Sequence, residues 1–202
     1  MSHVIVLEGC NGVGKSTYAK KLSEELKAPI YRVFRSNNID AHWQDGMVKT
    51  PEVTQEWLKK LGVPTNNHVE EMFTADLLSV LKPNVILDRS LPSSIAYGRT
   101  VNRSNPNDMA IFDDSRRCQE LYNWWEARMK KAGALLVWMT APYEVAKARA
   151  TGREAPNKEL YTKLHRVFQK LFQVTTLPKL SISTDSMEIE DGVRLICRRL
   201  RS

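Results

Sequence analysis

The sequence predicts an α/β fold, with a mainly parallel five-stranded sheet and helices on both of its faces. Short apolar runs alternate with helical patterns along the chain, and there is no internal repeat. The first apolar run shows no polar alternation, which is typical of a strand covered on both faces. Strands that alternate with helices imply right-handed crossovers, so we expect a ligand site at the carboxyl ends of the strands.

Five segments are predicted as strands, and helical spacing of apolar residues predicts helices between them. The strands are Val4–Leu7, Ile30–Phe34, Val85–Leu87, Ala134–Thr140 and Lys179–Ser183. A first helix is predicted over Lys15–Lys27, after a glycine-rich turn. Further helices are predicted near Glu52–Leu61, His68–Leu81, Asp114–Lys131, Tyr143–Ala150, Leu160–Val174 and Glu188–Leu200.

Length and composition predict one domain over residues 1–202. Hydrophobic residues make up 42% of the chain and charged residues 26%, close to the averages for soluble proteins. No segment approaches the roughly 20 apolar residues that a membrane span needs, so we expect a cytoplasmic protein without a membrane partner. A formal charge of +7 favours anionic partners such as nucleotides or nucleic acid.

A phosphate-binding motif follows the first predicted strand. Gly9, Gly14, Lys15 and Ser16 satisfy the pattern G-x-x-x-x-G-K-[ST], in the strand–turn–helix context that the motif requires. Backbone N–H groups of such a loop surround phosphate oxygens, the lysine adds a charge, and the serine hydroxyl can bind Mg²⁺. The predicted phosphate-binding residues are Gly9, Asn11, Gly12, Val13, Gly14, Lys15, Ser16 and Thr17. We therefore expect ATP with Mg²⁺ as the phosphate donor.

A second motif, "VILDRSLPSSIAYGR", places Asp88 where an apolar strand ends. A carboxylate beside the phosphate loop can position Mg²⁺ or accept the proton of an acceptor hydroxyl. Arg89 can bind an anionic substrate group with two hydrogen bonds. The alternative interpretation is an Asp–Arg surface pair after a strand.

At these motifs the sequence resembles the thymidylate kinase family of nucleoside monophosphate kinases. The resemblance rests on "LEGCNGVGKST", on "DRSLPSSIAY", which is similar to that family's D-R-[YF]-x-x-S-x-x-A-Y, and on "EEMFTADLL". It implies a P-loop kinase fold, ATP and Mg²⁺ as cofactors, and an acceptor of the nucleotide type.

The resemblance also implies roles for particular residues. Phe73 matches an aromatic residue that stacks on the acceptor base, and Arg35 and Arg89 match residues that bind the acceptor phosphate. Arg149 and Arg153 fall in a short lid, residues 149–158, that closes over the transferred phosphate. The implied catalytic residues are Lys15, Asp88, Arg89, Arg149 and Arg153; the implied acceptor-binding residues are Arg35, Phe73, Arg89 and Tyr97; the implied metal-binding residues are Ser16 and Asp88.

Four positions depart from the family pattern, and they bear on the acceptor. The family usually has an acidic residue at Asn11, arginine at Leu77, an aromatic residue at Ser90 and glutamine at Gly98. A pyrimidine deoxynucleoside monophosphate is the first expectation. The alternative is a hydroxymethylated pyrimidine, 5-hydroxymethyluracil, within DNA, which the basic chain would favour. A non-catalytic nucleotide-binding module is a further alternative. The oligomeric state stays open, with a homodimer among the options.

Overall fold

A five-stranded parallel sheet organises the part of the chain that the computed structural model describes, residues 3–31, 75–81, 84–100, 115–150 and 157–201. The strands are β1 (Val4–Glu8), β2 (Ile30–Tyr31), β3 (Val85–Asp88), β4 (Ala134–Thr140) and β5 (Lys179–Ser183). Their order across the sheet is β2-β3-β1-β4-β5, and every neighbouring pair is parallel. The prediction of an α/β fold with a parallel sheet is confirmed, and β4 and β5 have the predicted bounds.

Helices follow the strands in the described ranges. They are α1 (Lys15–Leu26), α2 (residues 75–81), α3 (Leu91–Thr100), α4 (Ser115–Lys131), α5 (Tyr143–Arg149), α6 (Lys158–Val174) and α7 (Ile189–Arg201). None of these helices is long and apolar enough to cross a bilayer. The helix predicted near Glu52–Leu61 lies outside the described residues.

Helix α3 was not predicted from the sequence. Its segment contains serines and a glycine, which have low helix propensity, and Pro92, which is compatible with a helix only in the first turn. Burial stabilises it instead, because Leu91, Ile95 and Ala96 are at most 1% exposed. Tertiary packing therefore overrides a weak local preference, as is usual for short helices.

The alternation of side chains along β1 divides the core between the two faces of the sheet. Ile5 and Leu7 belong to one apolar cluster, which α1, α6 and α7 cover. Val4 and Val6 belong to the other cluster, which includes Trp125 of α4. Successive side chains of a strand point to opposite faces, so a strand buried on both faces must be apolar throughout. The continuous apolar run of β1 is explained by this arrangement.

The register of the sheet brings the two sequence motifs together. Leu7 of β1 pairs with Asp88 of β3, and the Arg89 backbone N–H donates to the Leu7 carbonyl at 3.0 Å. The phosphate loop after β1 and the Asp88–Arg89 pair therefore share the carboxyl edge of the sheet. This is the edge at which parallel α/β sheets bind ligands.

Trp125 of α4 forms a buried hydrogen bond with the segment that follows β3. Its side chain is 1% exposed, and its indole Nε1 donates to the Ser90 hydroxyl at 2.9 Å. We expect Trp125→Phe to lower the free energy of unfolding by about 1–3 kcal/mol, because the buried Ser90 hydroxyl loses its donor and a small cavity forms. Urea denaturation measures this change. The control is Trp124→Phe at the half-buried neighbouring position, and an equal loss there would contradict the explanation.

Candidate active site

The main chain of the phosphate loop lies in close contact with the main chains of β4 and α5. A Cβ atom on Gly9 would lie 2.3 Å from the carbonyl oxygen of Met139 in β4, and one on Gly12 would lie 2.1 Å from the carbonyl oxygen of Ala146 in α5. Both glycines have positive φ angles, 143° and 80°, which residues other than glycine rarely adopt. Glycine is therefore required at these positions both for the turn and for the close approach.

Lys15 is buried at the start of α1, just after the glycine turn. Its side chain is 5% exposed, and Nζ donates to the Cys10 carbonyl at 2.6 Å, which folds the side chain back over the loop. Burial and, next, the charge of Arg89 lower the pKa of Lys15 to about 7. An anion bound in the loop would favour the charged ammonium again, because an opposite charge nearby stabilises the charged form.

Ser16 and Asp88 bring two oxygen atoms together at the edge of the sheet. The Ser16 hydroxyl donates to Asp88 Oδ2 at 2.9 Å; Asp88 is 1% exposed, whereas Ser16 is exposed. A hydroxyl and a carboxylate are hard oxygen donors of the kind that Mg²⁺ prefers. Ser16 and Asp88 therefore fit the Mg²⁺ that the sequence predicts. The alternative interpretation of Asp88 and Arg89 as a surface pair is wrong, since both residues are buried.

Arg89 joins the phosphate loop to α3. Its Nη1 donates to the Gly9 carbonyl and to the Ser93 hydroxyl, each at 3.1 Å. Its Nη2 donates to Asn11 Oδ1 at 2.5 Å and to the Tyr97 hydroxyl at 3.3 Å, and the guanidinium carbon lies 5.1 Å from the centre of the Tyr97 ring. Arg89 also has a φ angle of 79°, a left-handed conformation that costs a non-glycine residue about 1–3 kcal/mol. A strained residue held by several contacts is characteristic of a functional site.

Thr184 connects Arg149 to the phosphate loop by hydrogen bonds. The Arg149 guanidinium donates from Nη1 to the Thr184 hydroxyl and from Nη2 to the Thr184 carbonyl, each at 3.0 Å. The single proton of the Thr184 hydroxyl has two carbonyl acceptors within reach, that of Val13 at 3.0 Å and that of Thr140 at 3.2 Å. The end of α5, where the predicted lid begins, is thereby tied to the phosphate loop and to the ends of β4 and β5.

The structure brings most of the predicted site residues to one place. Asn11 and Val13 contact Arg89 and Thr184 through the bonds described above, and Thr17 is exposed in the first turn of α1. Tyr97 packs edge-on against Phe168 beside the guanidinium of Arg89. Three predicted residues, Arg35, Phe73 and Arg153, lie outside the described residues.

The importance of one buried residue of the site, Glu8, was missed from the sequence. Glu8, the last residue of β1, is 2% exposed, and its Oε2 accepts a hydrogen bond from the Ser93 hydroxyl at 2.5 Å. Burial raises the pKa of Glu8 to about 7, although the Ser93 hydroxyl and the charges of Arg89 and Lys15 act in the opposite direction. The available signal was a carboxylate at the end of an apolar strand, directly before the phosphate loop.

The raised pKa of Glu8 predicts a pH dependence of stability. Between pH 4.5 and about 7 the folded state holds a proton on Glu8 that the unfolded chain has released, so this group stabilises the fold less as the pH rises. Glu8→Gln does not titrate. We expect the free energy of unfolding of Glu8→Gln minus that of the wild type to increase over this interval by about 1–3 kcal/mol. Urea denaturation at several pH values measures the difference; a constant difference would contradict it, and the exposed Glu24→Gln is the control.

A family model described as an AAA domain matches residues 5–167, which include the phosphate loop, Asp88 and Arg89. The chain belongs to the AAA domain family. A thymidylate kinase of African swine fever virus is 26% identical to this AAA domain protein over an alignment of 211 positions, which covers 94% of the chain and 86% of the viral protein. The thymidylate kinase of a warthog isolate of that virus is 36% identical over 104 residues, 48% of the chain and 42% of the relative.

Solved structures share the fold of the AAA domain protein. A YorR protein from Bacillus subtilis, solved in complex with phosphorylated GDP, has a TM-score of 0.65 at 22% identity, covering 98% of this chain and 95% of that one. Deoxyadenosine kinase from M. mycoides with bound dCTP has a TM-score of 0.57 at 16% identity and covers 98% of both chains. The solved structures confirm the prediction of a P-loop kinase fold, and the viral relatives confirm the predicted similarity to thymidylate kinases. Together they support the prediction that the chain is a kinase.

Proposed function

We propose that this AAA domain protein transfers the γ-phosphate of Mg-ATP to the phosphate of a pyrimidine deoxynucleoside monophosphate. The observation that supports this proposal most is the convergence of Lys15, Asp88 and Arg89 at adjacent strand ends, with the Ser16 hydroxyl 2.9 Å from Asp88. The viral relatives, whose names are thymidylate kinase, agree with it.

On the donor side, the loop from Gly9 to Ser16 would bind the β- and γ-phosphates. Backbone N–H groups and the amino end of α1 supply positive potential there, and Lys15 would exchange its bond to the Cys10 carbonyl for bonds to phosphate oxygens. Ser16 and Asp88 would hold Mg²⁺, which when bound neutralises charge on the phosphate oxygens. The Lys15 ammonium would be fully charged in that complex, because the negative phosphates would raise its pKa above about 7.

On the acceptor side, Arg89 would orient the nucleophile. Its guanidinium is buried between the phosphate loop and Tyr97, so a phosphate bound to it would lie beside the γ-phosphate. The acceptor phosphate oxygen forms a bond to the γ-phosphorus while the bond from that phosphorus to the β–γ bridging oxygen breaks, and ADP leaves. A monophosphate is already an anionic nucleophile, so Asp88 need not remove a proton. Positioning and charge stabilisation would supply most of the rate enhancement.

The lid would complete the site. We propose that residues 149–158 form this lid and that Arg149 and Arg153 stabilise the charge on the transferred phosphate. Arg149 starts within reach of the phosphate loop, because Thr184 bonds both to it and to the Val13 carbonyl. An arginine that approaches the transferred phosphate on closure also helps to exclude water.

Phosphate transfer from γ-labelled ATP tests the acceptor. One set of reactions offers dTMP, dUMP and 5-hydroxymethyl-dUMP, and another offers unmodified DNA and DNA that contains 5-hydroxymethyluracil. Label in free nucleotide, absent with Lys15→Met, would support the proposal. Label in DNA would replace it with the DNA alternative, in which case binding should weaken steeply with salt. ATP binding without transfer to any acceptor offered would overturn both.

A further inference from the structure

A relay of hydrogen bonds inside the site connects Glu8 to Arg89 through Ser93. Arg89 Nη1 donates to the Ser93 hydroxyl at 3.1 Å, and the Ser93 hydroxyl lies 2.5 Å from Glu8 Oε2. Ser93 is 0% exposed and Glu8 is 2% exposed, so water does not compete for these bonds. The relay joins the end of β1 to the first turn of α3.

The chemistry of the three groups fixes the direction of the relay. A guanidinium has donors but no acceptor, so the Ser93 oxygen must accept from Arg89. A hydroxyl has one proton, and when Glu8 is ionised that proton goes to its carboxylate oxygen Oε2 at 2.5 Å. The carboxylate therefore turns the lone pairs of the Ser93 oxygen towards Arg89. Ionised Glu8 strengthens both bonds, because hydrogen bonds to charged groups are the stronger ones.

Stability alone does not account for a carboxylate at this position. Burial of Glu8 disfavours its charged form, and the Ser93 hydroxyl and the Ser90 backbone N–H, which favour that form, offset only part of this cost. The charges of Arg89 and of Lys15 in α1 favour the ionised form of Glu8. Burial and, in addition, the charge of Glu8 raise the pKa of Tyr97 in α3 and of Tyr122 in α4. Arg89 is the group that Glu8 reaches through a shared hydrogen-bond partner, and its backbone is strained.

We propose that Glu8 is a positioning residue that holds the guanidinium of Arg89 in place for the acceptor phosphate, acting through the hydroxyl of Ser93. The proposal rests on the proposed function, in which Arg89 binds the acceptor. Glu8 itself touches neither substrate. Its effect should consequently fall on the acceptor and not on the donor nucleotide.

Kinetics with dTMP as the probe test the relay. Ser93→Ala removes the link, and we expect a KM for dTMP about tenfold higher, with the Kd for Mg-ATP changed less than about twofold. Glu8→Gln keeps an oxygen that can accept the Ser93 proton but removes the charge, so we expect about a threefold increase in KM. The double variant should be no worse than Ser93→Ala alone, because Glu8 acts through Ser93. Additive effects, or equal losses of ATP affinity, would overturn the proposal.

A second measurement does not depend on the acceptor. In protein labelled with ¹⁵N-arginine, the guanidinium of Arg89, assigned by its absence in Arg89→Lys, should show restricted rotation in the wild type. We expect faster rotation in Ser93→Ala and in Glu8→Gln, and no change in Thr100→Ala. Thr100 is a matched control because it lies on the same helix and its hydroxyl donates to the Ala96 carbonyl. An Arg89 signal unaffected by both variants would overturn the relay even if dTMP is a substrate, and the expected changes would support it even if dTMP is not.

Discussion

Replacement of Lys15 by methionine is expected to lower kcat for phosphate transfer by about 10³-fold. The side chain keeps its length and approximate volume, so the change removes the charge that would move from the Cys10 carbonyl to the transferred phosphate. Steady-state kinetics with the acceptor found in the labelled-ATP assay, together with the Kd for Mg-ATP, measure the effect.

Stability separates this loss from misfolding. Burial holds the pKa of Lys15 down at about 7, so the ammonium contributes little to the stability of the fold. The free energy of unfolding of Lys15→Met should therefore stay within about 1 kcal/mol of the wild type. Lys20→Met, at an exposed position of the same helix, is the matched control and should retain full activity. A value of kcat within tenfold of the wild type would show that Lys15 does not stabilise the transition state.

The phosphate loop could be predicted from sequence because its requirements are local. The positive φ angles of Gly9 and Gly12 and the close approach of neighbouring backbone permit only glycine, and the strand before and the helix after are visible as apolar patterns. Asp88 was predictable for a related reason: an apolar strand that ends in a carboxylate places it at the ligand-binding edge of a parallel sheet. Both inferences need only neighbours in the chain and the general geometry of the fold.

The contacts between the motifs could not be predicted, because they join residues far apart in sequence. The bond from Ser93 to Glu8 spans 85 positions, and the bond from Thr184 to the loop carbonyl of Val13 spans 171. Their existence depends on the order of the strands and on the placement of α3, a helix whose local propensity is low. Ser93 belongs to a motif that could be recognised in the sequence. Its partner Glu8 could be identified only from the pairing of β1 with β3, which brings the end of β1 close to α3.

Asp88→Asn is expected to lower kcat by about 10²–10³-fold at saturating ATP. Asparagine has nearly the same shape, and its Oδ1 can still accept the hydrogen bond from Ser16, so the substitution tests the negative charge and not the packing of the site. In the proposed complex the charge of Asp88 would help to hold Mg²⁺ beside the ammonium of Lys15, whose charged form Asp88 also favours.

The dependence on metal concentration identifies this role. If Asp88 helps to hold the ion, half-maximal activity of Asp88→Asn should require about tenfold more Mg²⁺ than the wild type, since a neutral amide is a weaker ligand than a carboxylate. Asp191→Asn, at an exposed position of α7 where the carboxylate pairs with Arg194, is the matched control and should leave the Mg²⁺ dependence unchanged. If Asp88→Asn is slow but has the Mg²⁺ dependence of the wild type, Asp88 acts on the acceptor instead. A pronounced loss with a hydroxyl acceptor and a small loss with a monophosphate would then identify it as a general base, because only the hydroxyl has a proton to give up.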